Sequence, residues 1–336
     1  MVRRITLAAC ACVLLGCGGS STIAKPLPAA PEPAVSPPAA SRLPGQVVAL
    51  AGAPEGVVVD RSGTVAVNVR EPDGLVIFDL AHPDHRLIVA MGGSARHLAL
   101  AAPDGPLLVP DESDDQLVEV ALPSGGVLGS IPVGRQPHDA VAVGSRTVFV
   151  GDELANTIHV IRDGHVADVI PAPLQPGGLA AAVDGSTAVA VGVRGRRITA
   201  YRADGSVIGS ANCGDGPTHA VTGDGGVFWV VDTDGGTVLG FEVGAHGPRR
   251  ITRIAVGPKP YGVAYDSLRS TLWVTLTGTD QLVGLHLSGT AVRSRTTYPT
   301  VQQPDSVAVA EATGALVVTG STPQGALQVI GGTRGG

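Results

Sequence analysis

The sequence predicts an all-β fold, a seven-bladed β-propeller closed by an N-terminal strand, and three observations lead to it. A unit of about 40 residues, made of short apolar runs, recurs seven times from Pro54 onwards. The runs are rich in β-branched residues and end at glycine or aspartate, which is typical of short strands rather than helices. The last unit lacks a fourth run, whereas residues 46–50 supply an extra one before the first unit.

Each unit begins at an anchor residue, and the anchors fix the period. They are Pro54, Ala95, Pro137, Pro176, Pro217, Pro260 and Pro304, with gaps of 41, 42, 39, 41, 43 and 44 residues. A period near 40 with several short strands is the size of one propeller blade. Propellers carry many unrelated activities, so the repeat predicts an architecture and not a function.

The second run of each unit predicts a strand buried on both faces. These runs are 65–68, 107–110, 148–151, 188–191, 228–231, 272–275 and 316–319. The third runs follow turns such as 72–74, 234–236 and 278–280, whose glycine and aspartate residues suit tight links between antiparallel strands. The fourth runs, such as 129–134 and 253–257, lead into the next anchor.

Closure of the ring is predicted from the two ends of the repeat. The last unit ends with the run 326–330, followed only by residues 331–336, which are mostly glycine. We expect the run 46–50 to complete that blade, because an added strand protects an otherwise open sheet edge. The alternative is six blades and a stray pair of strands.

The first 16 residues predict a lipoprotein signal peptide. Arg3 and Arg4 precede an apolar stretch, 5–15, that is too short to span a bilayer as a stable helix. It ends in Leu-Leu-Gly-Cys at 14–17, which resembles a bacterial lipobox. Cys17 would then carry a diacylglyceryl group and a further acyl chain, and several chains anchor more firmly than one. The alternative is an ordinary cleaved signal with an incidental cysteine.

Three regions are therefore predicted: the signal peptide 1–16, the lipidated Cys17 with a tether 17–45, and the propeller domain 46–336. The tether holds six prolines between positions 26 and 38, a composition typical of a disordered or polyproline-like linker that adds nothing to a core. The expected location is the outer face of the bacterial cytoplasmic membrane or the cell envelope. A net charge of −6 without a basic stripe disfavours nucleic acid as a partner, and we expect a monomer.

Short motifs within the units resemble the YVTN or YncE-like family of seven-bladed propellers. Its repeat reads roughly Pro-x-Gly-Val-Ala-Val, Tyr-Val-Thr-Asn and Val-Ser-Val-Ile-Asp. The closest matches are 260–265, 273–275 and 156–161, and the resemblance covers about 46–330. The stretch 298–304, with the N-terminal features, also resembles a conserved mycobacterial lipoprotein family of the Lpp type. These resemblances imply a fold and a location but no activity.

Candidate site residues lie just past the anchors, where loops entering the innermost strands should converge at one mouth of the channel. They are Glu55, Arg96, His97, His138, Asp139, His219, Lys259, Tyr261 and Asp305. Imidazole and carboxylate groups suit zinc, copper or iron, and they also suit general acid–base catalysis. The sequence favours a third interpretation, in which they are polar side chains lining a wet channel.

Two acidic stretches resemble calcium loops only in part. Residues 232–236 begin like an EF-hand loop, but Val243 stands where that loop needs a carboxylate. The stretch 111–115 is expected to be a solvated acidic hairpin turn, with a calcium role as the alternative. The sequence contains no nucleophile elbow, zinc-protease helix, phosphate loop or dinucleotide fingerprint.

The leading functional hypothesis is a non-enzymatic binding or scaffold module for a protein or envelope ligand. It is motivated by the anchor, the tether and the missing catalytic motif. The alternatives are a lactonase- or lyase-like hydrolase, or a metal- or cofactor-binding redox propeller, using the channel-mouth residues. No organic cofactor is predicted, and a divalent metal at His97, His138 and His219 remains an open alternative.

Overall fold

The computed structural model describes residues 27–50 and 52–331 and shows an all-β chain. Its strands form seven four-stranded sheets, arranged as propeller blades around a central channel. This confirms the predicted fold class. Within the described ranges the one helical element is a 3-10 turn, Asp224–Gly226, and no helix is long and apolar enough to cross a membrane. The predicted signal peptide and Cys17 lie outside these ranges.

The strands are numbered in chain order, and β1 (Gln46–Ala49) belongs to the last blade. Blade one contains β2 (Val57–Val59), β3 (Thr64–Arg70), β4 (Asp73–Asp79) and β5 (Arg86–Ala90). Blade two contains β6 (Ala99–Leu100), β7 (Leu107–Asp111), β8 (Gln116–Val120) and β9 (Val127–Pro132). Blade three contains β10 (Pro137–Ala142), β11 (Thr147–Asp152), β12 (Thr157–Arg162) and β13 (His165–Pro171).

The remaining blades repeat the same order. Blade four contains β14 (Pro176–Ala181), β15 (Thr187–Gly192), β16 (Arg197–Arg202) and β17 (Val207–Asn212). Blade five contains β18 (Pro217–Thr222), β19 (Phe228–Asp232), β20 (Thr237–Gly244) and β21 (Gly247–Ala255). Blade six contains β22 (Pro260–Asp266), β23 (Thr271–Leu276), β24 (Gln281–Ser288) and β25 (Ala291–Pro299). Blade seven contains β26 (Pro304–Ala310), β27 (Ala315–Gly320), β28 (Ala326–Ile330) and β1.

Apolar side chains fill the spaces between neighbouring blades. Trp229 of blade five packs with Leu272 and Val274 of blade six, and each is at most 1% exposed. Val67 of blade one packs in one cluster with Val317 of blade seven. The second strands are thus buried on both faces, as their unbroken apolar runs predict. Because buried apolar surface stabilises a fold by about 25 cal/mol per Å², these layers hold the blades together.

Strand β1 closes the ring. It pairs antiparallel with β28, from Gln46 opposite Val329 to Ala49 opposite Ala326. Val48 on this strand is 4% exposed, and Leu50 directly after it is 3% exposed; both belong to the cluster that joins blades one and seven. The predicted closure by the N-terminal strand is confirmed, and the six-blade alternative is wrong.

Buried aspartates end the second strand in three blades and organise the loops around them. Asp152 accepts hydrogen bonds from the Gly134 N–H at 3.0 Å and from the Thr157 hydroxyl at 2.7 Å. Asp232 accepts the Gly216 N–H at 2.7 Å. Asp111 is 1% exposed and accepts N–H groups of its own turn. These carboxylates satisfy backbone donors that would otherwise be costly to bury.

The stretch 111–115 is only in part the solvated acidic turn that the sequence predicts, because Ser113 and Asp114 are exposed but Asp111 is buried. Besides the buried Asp111, Asp115 accepts the N–H of Gln136 at 2.7 Å and so links blade two to blade three. The side chain of Glu112 is only 6% exposed. In this hairpin Asp111 and Asp115 stabilise the fold through hydrogen bonds, and Glu112 lies at the channel mouth.

The innermost strands begin with a shared local geometry in most of the ring. The residue before the anchor proline has a left-handed backbone, with φ between 41° and 57° in Ala53, Gln136, Gln175, Lys259 and Gln303. An irregularity in pairing follows directly, as between Pro137 and Asp139. Bulges of this kind re-aim side chains at the end of a strand. They turn the residues just past each anchor towards the channel mouth.

Residues 27–45 have almost no regular secondary structure, but residues 28–36 lie against the mouth face of the propeller. We call residues 28–36 the strap. Ser36 is 7% exposed and its hydroxyl donates to the Thr277 carbonyl at 2.7 Å. The sequence-based prediction of a disordered linker did not include such contacts. They arise because carbonyl groups of the strap meet arginine, lysine and glutamine donors on the rim of the mouth, a complementarity that composition does not reveal.

Ring closure predicts unequal effects of two neighbouring substitutions. Leu50→Ala removes a buried side chain at the junction of blades one and seven, and should lower the free energy of unfolding by about 2–5 kcal/mol. Val47→Ala, at a position that is 49% exposed on β1, should change it by less than about 0.5 kcal/mol. Urea unfolding of both variants tests this, and equal effects would contradict the closure.

Candidate functional site

Three histidines from three blades meet at the channel mouth. The ring centroid of His97 lies 4.7 Å from that of His138 and 4.5 Å from that of His219. One ring nitrogen from each histidine lies within 4.8 Å of the others. His138 and His219 are 6% and 8% exposed, and His97 is partly exposed. The anchor alignment thus identified residues that are far apart in sequence and adjacent in space.

The Nδ1 atom of each histidine faces an oxygen. In His138 it lies 3.0 Å from a Glu112 carboxylate oxygen, and in His219 it lies 2.9 Å from the Tyr261 carbonyl. In His97 it lies 3.6 Å from the Asp139 carboxylate. A carbonyl can only accept, so His219 must donate its Nδ1–H and keep the Nε2 lone pair free. An oxygen acceptor behind the ring is the usual support of a metal-binding histidine.

His138 sits between two carboxylates. Its Nδ1 is 3.0 Å from Glu112 and 3.4 Å from Glu153, and Arg96 lies 3.3 Å from Glu112. Burial alone would lower the pKa of His138, but the hydrogen bonds to Glu112 and Glu153 outweigh it and raise this pKa to about 10. Burial would raise the pKa of Glu153, but the hydrogen bond from His138 outweighs it and lowers this pKa to about 2. This part of the mouth is a charged network.

His219 has the opposite electrostatic character. Burial and the neighbouring His97 hold its pKa well below 6.5, because both disfavour a second positive charge. His219 is therefore a neutral imidazole at physiological pH, beside a protonated His138. The two rings belong to one cluster, yet only one of them is ready to donate a lone pair without first losing a proton.

The remaining predicted residues surround the histidines at different distances. Glu55 is paired with Arg70 at 2.9 Å. Burial and the Glu55 carboxylate raise the pKa of Asp305 to about 8, so this carboxyl is mostly protonated at neutral pH. The ring of Tyr261 lies edge-on to His219, with centroids 4.6 Å apart. Lys259 is paired with Asp234 at 2.8 Å, on the rim rather than in the cluster.

Glu112 and Glu153 belong to the site, although the sequence-based prediction did not include them. Each follows the aspartate that ends the second strand of its blade, Asp111 or Asp152. The second strand runs antiparallel to the innermost strand, so its end lies at the same mouth as the anchors. A comparison of this second position between blades two and three would have revealed the carboxylate pair.

Two cavities adjoin the histidines. On the mouth side, a cavity of about 30 Å³ is lined by Glu153, His138, His219 and by Pro31 of the strap, which lies over it. This is enough for a water molecule or an ion. On the other side, the central channel has a volume of about 470 Å³ and reaches past Asp305 to the opposite end of the innermost strands. His219 lines both spaces, so the cluster separates the closed mouth from the channel.

The arrangement suits a transition-metal ion. Zinc with bonds of 2.0–2.1 Å to tetrahedral ligands needs ligand nitrogens about 3.3 Å apart, so nitrogens within 4.8 Å need only a small closure of the rings. Three imidazoles leave a fourth position for a ligand or water. The sequence-based preference for a wet, merely polar lining does not explain why two of the three rings are buried.

No protein-family model and no curated protein matches this chain. Solved structures share its architecture. A streptogramin B lyase aligns with a TM-score of 0.70 and 10% identity over 85% of this chain and 97% of that chain. Virginiamycin B lyase from Staphylococcus aureus aligns with a TM-score of 0.70 and 13% identity, over 85% of this chain and 99% of that chain. Hydrazine synthase from Kuenenia stuttgartiensis aligns with a TM-score of 0.67 and 18% identity, over 88% of this chain and 97% of that chain.

These identities support the seven-bladed propeller fold alone. The finer resemblances, to YVTN or YncE-like propellers and to Lpp-type lipoproteins, stay predictions.

The raised pKa of His138 predicts a pH-dependent contribution to stability. Its folded pKa of about 10 lies above the ordinary value of 6.5, so the stabilisation is fully present below pH 6.5 and is lost as the pH rises towards 10. The difference in free energy of unfolding between wild type and His138→Asn should therefore shrink over this range, measured by urea unfolding with a chelator present. His246→Asn, in an exposed turn, is the control. A pH-independent difference for His138→Asn would contradict the assignment.

Proposed function

We propose that this chain is a lipid-anchored lipoprotein outside the cytoplasmic membrane, and that its propeller is a binding module that holds one divalent transition-metal ion at the channel mouth. The ligands are His97, His138 and His219. One observation carries the proposal: three imidazoles from separate blades converge, each with its Nδ1 against an oxygen. Imidazole favours zinc, copper, nickel or iron over magnesium or calcium.

Metal binding fits the electrostatics of His219 and requires a proton to leave His138. Burial and the neighbouring His97 disfavour protonation of His219. A metal ion at the centre of the cluster would accept the free lone pair of His219. His138 would exchange its Nε2 proton for the ion and keep its Nδ1–H bond to Glu112, so metal affinity should fall in acid.

A binding role fits the surroundings of the ion. The fourth coordination position would face either the small cavity beneath the strap or the central channel. A protein or envelope ligand that supplies one more donor atom could be held there. An ion with an open coordination position would give the scaffold hypothesis a chemical basis.

The second candidate function is a lyase- or lactonase-like enzyme at the same mouth. A neutral His219 beside a protonated His138, with Asp305 at a pKa of about 8, offers both a base and acids. Propellers named streptogramin B lyases share the fold. Conversion of virginiamycin B by the wild type, and not by His219→Asn, would favour this candidate over simple binding.

The metal site is tested by substitution of its ligands. The wild type should bind one zinc or cobalt ion per chain, and the triple variant in which His97, His138 and His219 are changed to Asn should bind none, since Asn offers no imidazole. Metal analysis after dialysis and the visible spectrum of the cobalt form provide the measurements. His246→Asn should bind like the wild type. Equal metal content in the triple variant would refute the site.

The lipid anchor is tested at Cys17. Cys17→Ser should give a protein that stays an uncleaved precursor or is released from the membrane, because the thiol that accepts the diacylglyceryl group is gone. Labelling of cells with radioactive fatty acid measures this directly. Cys213→Ser is the control. Cys213 is a free, fully buried cysteine that directly follows the outermost strand of blade four, and its substitution should leave the labelling intact. Continued labelling of Cys17→Ser would exclude the proposed anchor.

A further inference from the structure

The strap is bound to the mouth face at both of its ends. At the N-terminal end, Arg194 donates to the Pro28 carbonyl at 3.0 Å and Arg196 donates to the Ala29 carbonyl at 3.1 Å. These contacts join residues 166 and 167 positions apart in the chain. Further along, Lys259 donates to the Glu32 carbonyl at 3.3 Å.

Three side chains hold the C-terminal end of the strap, and one of them, the Gln302 amide, donates to the Ser36 carbonyl at 3.4 Å. The amide of Gln303 donates to the Ala34 carbonyl at 2.8 Å and accepts the Ser36 N–H at 3.0 Å. Thr277 accepts the Ala34 N–H at 2.9 Å through its hydroxyl. The Gln303 side chain thus bonds to backbone groups of two residues that lie two positions apart. Both bonds can form only if the strap backbone is extended there.

The hydrogen bonds between the mouth and the strap are made almost entirely to strap backbone atoms. Among these contacts the Ser36 hydroxyl is the one strap side chain that takes part. The strap N–H groups in use belong to Ala34 and Ser36, so Pro28, Pro31 and Pro33 leave no donor unsatisfied, since proline has none. Proline also lowers the entropy lost on binding, because it favours the extended polyproline conformation.

We propose that the mouth face is a docking surface for an extended, proline-containing peptide, and that the chain's own strap occupies it in cis. The partner that would displace the strap is a protein with an exposed, extended segment whose prolines have the same spacing as Pro28, Pro31 and Pro33. Residues 37–45 link the strap to β1, and a linker this short sets an effective concentration in the millimolar range. Even weak intrinsic affinity then keeps the surface occupied.

The docked strap also closes the histidine site. Pro31 is buried and lies over the cavity lined by His138, Glu153 and His219. Release of the strap opens this cavity to solvent on the mouth side. This second part rests on the proposed metal site, whereas peptide docking does not.

A synthetic peptide of residues 27–38, labelled with fluorescein, tests the docking by fluorescence anisotropy. The peptide should bind a deletion variant that lacks residues 27–40. It should bind the intact chain at least about tenfold more weakly, because the chain's own strap competes for the same surface. Gln303→Glu in the deletion variant removes the amide donor and should weaken binding about tenfold, whereas Gln281→Glu, on the neighbouring blade, should leave it unchanged. Absence of peptide binding to a folded deletion variant overturns the proposal.

Hydrogen exchange of the intact chain gives a test that needs no deletion. The amides of Ala34 and Ser36 should be protected, and Gln303→Glu should speed their exchange about tenfold while Gln281→Glu leaves it unchanged. Unprotected amides in the wild type overturn the proposal. Cobalt uptake should be faster in the deletion variant than in the intact chain. If neither chain binds cobalt, the metal site fails, and the peptide and exchange results still decide the docking.

Discussion

The pairing of β1 with β28 is the interaction on which the rest of the molecule depends. The ends of seven innermost strands meet at one point only in a closed ring, and His97, His138 and His219 reach that point from blades two, three and five. An open edge would let the blades splay apart and separate these rings. The single N-terminal strand therefore fixes the distances within the mouth as well as the stability of the last blade.

Most of the fold could be predicted from the sequence, because a repeat near 40 residues samples the same local pattern seven times. The convergence of the histidines was predictable for the same reason, since equal positions in each unit occupy equal positions around the ring. Glu112 and Glu153 were not predicted, because the alignment considered only the residues after each anchor, whereas these carboxylates follow the second strands of blades two and three and meet His138 only in the folded ring. The contacts of residues 28–36 were not predictable from composition, because they are made by backbone carbonyls that every sequence has.

The mouth contains one histidine buried with a positive charge and another buried as a neutral ring. His138 is buried as a cation between Glu112 and Glu153, whereas His219 is buried as a neutral ring a few ångströms away. The carboxylates stabilise the charge on one side only, so the cluster carries an electrostatic gradient across its width. A ligand that enters from the channel first meets the neutral side, which needs no proton transfer before it can coordinate.

The position of the strap bears on how the disc would stand at a membrane. Ten residues separate Cys17 from Pro28, and a fully extended chain of that length spans at most about 33–36 Å. If Cys17 carries an acyl anchor, the maximum length of this segment is comparable to the thickness of a bilayer core. The mouth face would then look towards the lipid surface, and the far end of the channel, near Asp60 and Glu311, would point away from it. The two faces of the disc would then differ in access, since one would lie near the lipid and the other would be open to solvent.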